Sequence, residues 1–244
     1  MGSAFAWGLL AGSSLLIGGA LALRVRISPR VLGLVMGFGS GVLISAVAYE
    51  LVLEAAETSH DPWVAGGFAA GALVFFGGDL AIDHRGGADR KRSQVEQGAG
   101  AGSALAIVLG IVLDGIPESI VIGLSLIGGG GVSVAVIAAV FLSNLPEAIA
   151  ATTGLSARGW PGRKILGLWT FVALVSALAA LAGFALFDGA PDRAIATMLA
   201  FAGGAILTML ADTMMPEAFE HGGKLVGLAT ALGFALAFAL TLAE

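Results

Sequence analysis

The sequence has no cysteine, which excludes disulfides and thiolate metal ligands alike. Charge is scarce as well: Asp, Glu, Lys and Arg are 12% of the 244 residues, against 57% hydrophobic, and the mean hydropathy is +0.96. That balance belongs in a bilayer rather than in a water-soluble domain. The apolar stretches run without the apolar–polar alternation of barrel strands, so the spanning elements are helices. Neither His-Glu-x-x-His nor Gly-x-Gly-Asp occurs, so the chain carries no sign of an intramembrane protease and is read as a non-enzyme without a resident cofactor. No basic run suggests nucleic acid. The apolar segment within Met1 to Leu23 has no positive residues ahead of it and Arg24 and Arg26 behind it, the reverse of a secretory signal, and reads as a first span.

What is present is eight apolar windows, each long enough for about 30 Å of hydrocarbon: Ala4 to Leu23, Val31 to Ala55, Trp63 to Ile82, Ser103 to Ile127, Val132 to Leu155, Ile165 to Phe187, Ala194 to Met215 and Leu225 to Leu242. The expected fold is one all-α integral membrane domain over residues 1–244, with eight transmembrane helices. Of the 12 Lys and Arg, 11 fall in the odd connections and only Arg193 in an even one. The positive-inside rule then sets the odd connections in the cytoplasm and both termini outside. Asp83 to Gly102, polar and of mixed charge, reads as a flexible cytoplasmic loop. The 38 glycines suit close helix packing. Trp7, Trp63, Trp160 and Trp169 lie near span ends and read as interfacial anchors.

The second span closes on Glu50-Leu51-Val52-Leu53-Glu54-Ala55 and the seventh on Thr213-Met214-Met215-Pro216-Glu217-Ala218. These two phrases run in opposite directions, as a 3+2+3 arrangement with inverted repeats around spans four and five requires. Ser143, Glu50, Glu54, Asp212, Glu217 and His221 are the candidate pathway residues, whereas His60 and His84 read as loop surface.

Spans four and five each carry a polar phrase inside lipid-like sequence: Asp114-Gly115-Ile116-Pro117-Glu118-Ser119 and Ser143-Asn144-Leu145-Pro146-Glu147-Ala148. A charge at a helix centre costs about 2.5 to 3.5 kcal/mol, so such groups mark a site by default. The short glycine run Gly128 to Gly131 predicts that the two helices pack as antiparallel neighbours. At 1.5 Å per residue this sets Asp114, Glu118, Asn144 and Glu147 in one layer near the midplane, where four oxygen-bearing side chains converge. Pro117 and Pro146 leave the carbonyls of Leu113 and Leu142 without their helical donors, and such oxygens suit hard divalent ions. A proline kink or a single protonated Glu needs no function. Two such motifs at one depth repeat an avoidable cost, which favours a metal site.

These motifs resemble those of the ZIP (Zrt-/Irt-like protein) family of divalent-metal transporters, in which eight spans with outside termini carry His-Asn-x-Pro-Glu-Gly in span four and a related motif in span five. The resemblance covers nearly the whole chain. It implies that Asp114 stands at the family's histidine, Glu118 and Glu147 at its glutamates, Asn144 at an acidic position and Ser143 at one often held by a histidine or an amide. It further implies zinc moving toward the cytoplasm across the cell membrane, and a homodimer. With no histidine left, the site is all-oxygen, which widens the expected cargo toward harder ions such as Mn or Mg; Fe and Cd complete the candidate cargoes. The alternatives are a proton- or sodium-coupled carrier of another solute and a metal sensor that does not transport.

Overall fold

The computed structural model describes residues 1–84, 104–127 and 133–243, and the regular elements among them are all helical. Each apolar window forms one helix: α1 (Gly2–Arg24), α2 (Pro29–Thr58), α3 (Trp63–Ile82), α4 (Ala104–Leu124), α5 (Val134–Ala157), α6 (Gly162–Phe187), α7 (Asp192–Gly222) and α8 (Leu225–Thr241). Among the described residues, six of them, α1, α2, α3, α5, α6 and α7, are long and apolar enough to cross a membrane by length and composition. The glycine run Gly128 to Gly131 and the linker beyond His84 lie outside the described residues.

Helix starts follow capping chemistry. Ser28 and Ser133 accept the backbone N–H of Val31 and Val136 at the heads of α2 and α5, and Pro29 fills the first position of α2, where its missing N–H costs nothing. The turn that follows α5 passes through Gly159 at φ 80°, and the turn after α6 through Gly189 at φ 79°, a backbone region that side chains rarely adopt.

Two helices change pitch part-way. α2 is a π-helix over Val47–Leu53 and α7 over Leu210–Met214. A π segment fits an extra residue into a turn and reorients everything beyond it. Both segments lead into the two related acidic phrases. One 163-residue offset superposes Gly41 on Gly204, Glu50 on Thr213, Glu54 on Glu217 and Glu57 on Glu220.

The packing repeats the same relation. α3 lies on α7 as α8 lies on α2, α1 on α5 as α6 on α4, and α2 on α5 as α7 on α4, so exchanging the first three helices with the last three preserves the main contacts. At the α2–α8 crossing, a Cβ on Gly41 would run into the Thr230 carbonyl, and one on Gly233 into that of Phe38. At the α3–α7 crossing, Gly71 and Gly204 stand in the same way against the carbonyls of Phe201 and Phe68. Glycine is what lets these backbones approach.

Two groups of four result: α1, α4, α5 and α6 in one, α2, α3, α7 and α8 in the other, joined chiefly along α2–α5 and α4–α7. The expected neighbour packing of α4 on α5 is not what the fold adopts. The two touch over few residues, since α4 packs mainly on α6 and α5 on α1, and their polar faces are left to line a space between them.

Candidate metal-coordinating site

That space is a small cavity lined by Asp114 and Gly115 of α4, Asn144 and Glu147 of α5, Leu15 of α1, and Trp169 and Val172 of α6, with room for about one water molecule. The polar members are buried: Asp114 is 2% exposed, Asn144 5% and Glu147 9%. Asn144 and Glu147 are three apart on a helix that continues through Pro146, which brings both to one face. The walls are otherwise apolar, so two carboxyl groups and an amide line one low-dielectric space, and their oxygens are of the kind that hard cations take as ligands.

Glu118 is placed differently. At 1% exposed it is as buried as Asp114, but it lines a separate cavity with Val47 and Leu51 of α2, Val121 of α4 and Val136 and Ala139 of α5. The expected cluster of four is therefore three residues in one cavity and a fourth a helical turn away in the next. Among the described residues no three of His, Asp or Glu stand close enough to hold a metal ion, so any cation at the first cavity rests on two carboxylates and the Asn144 amide. The carbonyl released by Pro146, that of Leu142, lies near Gly39 of α2, and neither Leu142 nor Leu113 lines the cavity.

The candidate pathway residues divide by environment. Ser143 is fully buried and donates its hydroxyl to the Val140 carbonyl of its own helix at 3.1 Å. Glu50, in the π segment of α2, is half-buried and accepts from Ser133 at 3.0 Å and from Thr241 at 2.8 Å, which gathers the end of α2, the start of α5 and the end of α8 at one pole of the bundle. Glu54 is exposed. At the opposite end Glu217 and His221 form a buried pair, Nε2 to Oε1 at 3.1 Å, while Asp212 is exposed. His60 and His84 are exposed, as expected for loop surface.

Two residues correct the sequence reading. Trp169 is not an interfacial anchor: it is 1% exposed, lines the Asp114 cavity and donates its indole N–H to Thr152 at 2.8 Å. Asp79, an ionisable residue inside an apolar window, was not among the candidates although that position alone marks it. It is 8% exposed and close enough to Asp212 of α7 for the two carboxylates to act on one another.

No protein-family model matches the chain, and no curated protein is significantly similar to it. Its functional reading therefore stands on its own residues.

Proposed function

We propose that the protein is an eight-span transporter of the cell membrane that moves a divalent metal ion to the cytoplasm through the cavity of Asp114, Asn144 and Glu147, with Glu118 in the adjoining chamber on the route. The observation that carries this reading is that two buried carboxyl groups and an amide from two proline-containing helices line one apolar-walled cavity. A donor set of three holds an ion loosely enough to release it, as cargo requires. The exchangeable packing of the first and last three helices supports an inverted repeat, the Lys and Arg bias of the odd connections supports both termini outside, and the two four-helix groups give such a transporter parts that move past one another. The cargo is zinc or a harder ion such as Mn²⁺, and the working unit is a homodimer.

Metal uptake into proteoliposomes containing a metal-sensitive dye and a pH dye tests this. Uptake of at least one of Zn²⁺, Mn²⁺, Fe²⁺, Mg²⁺ or Cd²⁺ is expected in the parent, and folded Glu147→Gln and Glu118→Gln proteins should not transport. Parental uptake by the folded variants sinks the site. Proton or sodium movement with no metal flux favours a coupled carrier of another solute, and metal binding without flux favours a sensor. Asp114→His should raise zinc affinity relative to manganese, because imidazole suits the softer ion, and that gain should fade below about pH 6.5 as the imidazole protonates.

A further inference from the structure

Glu50 lies where the two helix groups meet, at the end of the bundle that the proposed topology turns outward. Each of its carboxylate oxygens accepts one hydroxyl. Thr241 belongs to α8, in Glu50's own group, and donates to Oε1 at 2.8 Å; Ser133 belongs to α5, in the other group, and donates to Oε2 at 3.0 Å. The neighbouring Tyr49 stacks on Phe238 of α8, ring centroids 4.8 Å apart, and meets Phe234 edge-on, so α2 and α8 hold Glu50 as one body. The Ser133 bond links the two bodies at this point.

Directly beneath it lies the chamber that contains Glu118. Val47 and Leu51 bracket Glu50 along α2, Val136 is one turn below Ser133 on α5, and all three line the chamber with Ala139. Their exposures are 5%, 1%, 3% and 0%, so the chamber's lining on this side is buried. Glu50, Ser133 and Thr241 are themselves partly exposed and can be approached from solvent. The hydroxyl-to-carboxylate separations match the roughly 3 Å edge of an octahedron of oxygens about 2.1 Å from a small divalent ion. A cation arriving there can take over the carboxylate, with the hydroxyl oxygens turned to it as further donors.

We propose that Glu50 with Ser133 and Thr241 is an outer latch and first loading site: joined, it shuts the chamber above Glu118, and a hard divalent cation opens it by taking the Glu50 carboxylate. This rests on the transport reading above and deepens it. At the matched position α7 carries Thr213 in place of a carboxylate, and its hydroxyl donates to the Met209 carbonyl of its own helix.

The absence of cysteine supplies the test. Ala139→Cys sets one thiol in the chamber of the full-length protein, and its reaction with a membrane-impermeant methanethiosulfonate applied to the outer face reads whether the latch is open. Labelling of Ala139→Cys is expected to be slow and to quicken with external Mn²⁺. Adding Ser133→Asp, which keeps an N-cap acceptor for α5 but sets a carboxylate against Glu50, should raise the rate about tenfold, the effect of one charge-assisted hydrogen bond on a two-state equilibrium. Adding Glu50→Gln should remove the Mn²⁺ response. Thr241→Val leaves the α5 cap untouched and keeps the test open where Ser133→Asp does not fold; it should raise the rate by a smaller factor. Rates within about twofold of Ala139→Cys alone in the folded latch variants, or an undiminished Mn²⁺ response with Glu50→Gln, overturn the latch. Uptake measured on the same samples separates the two ideas. Latch-dependent labelling in a protein that moves no metal overturns transport alone, and latch-independent labelling in one that does overturns the latch alone.

Discussion

α2 and α7 share a backbone plan and differ in chemistry. Each runs through a π segment into an acidic phrase, and each crosses its outer partner helix at a glycine, Gly41 in one and Gly204 in the other. Yet the polar groups at their ends are used in opposite ways. α2 spends Glu50 on hydroxyls of two other helices, α5 and α8, whereas α7 pairs Glu217 with its own His221 one turn on. The difference teaches that the shared plan constrains what the backbones must do to pack, and leaves free which partners the polar groups at each pole take. A latch between helices opens when they separate; a pair within one helix travels with it.

The largest expected effect tests the shared part. A leucine at Gly41 or Gly204 would drive its Cβ into a carbonyl of the facing helix, at Thr230 in one case and Phe68 in the other. Backbone overpacking of that kind costs typically 1–3 kcal/mol and more where neither helix can yield. Both variants should therefore lose the monodisperse peak in detergent chromatography. Tolerance of one and not the other would break the equivalence of the two crossings.

A middle-sized effect tests the part that differs. The Glu217 and His221 side chains are 5% and 6% exposed, so His221→Ala withdraws a partner inside the protein and should cost about 1–3 kcal/mol of stability. Glu50 is partly exposed, and water replaces what Glu50→Gln gives up, so that change should cost about 0.5–1.5 kcal/mol. Thermal unfolding of the two variants beside the parent compares them; a larger loss from Glu50→Gln would reverse the assignment of which pole is rigid.

Much of this was legible in the sequence, for reasons that also explain what was not. Eight apolar windows became eight helices because hydropathy alone dictates where a chain can lie in a bilayer, and the paired acidic phrases announced the relation of α2 to α7. Asp114, Asn144 and Glu147, which line one cavity, could be singled out because oxygen-bearing side chains stand out in apolar sequence. The separation of α4 from α5 was not legible: a short connection fixes the ends of two helices, while α1 and α6, with small residues such as Gly12 and Ala173 in contact, decide what lies between them. That separation is also what puts Glu118 in its own chamber. The π segments escaped notice because one extra residue per turn leaves no mark on an apolar run. Trp169 was misread since nearness to a span end says nothing about which way an indole faces, and here it faces the cavity.

The smallest perturbation carries the sharpest test of the comparison, because it asks only which way each helix points. Glu57 and Glu220 are matched by the 163-residue offset, each three residues past its phrase's Glu, and both are exposed. Replacing either with cysteine removes a solvated carboxylate, and such surface changes usually lie within about 0.5 kcal/mol of neutral. Stability and uptake should be those of the parent. Sidedness should not be: if α2 and α7 are inverted copies, with the 11 Lys and Arg of the odd connections held in the cytoplasm, Glu57→Cys reacts with an impermeant maleimide on intact cells and Glu220→Cys reacts only after the membrane is opened. Labelling of both from outside, or of neither, would mean that the two helices run the same way, and the resemblance of their acidic phrases would then owe nothing to inversion.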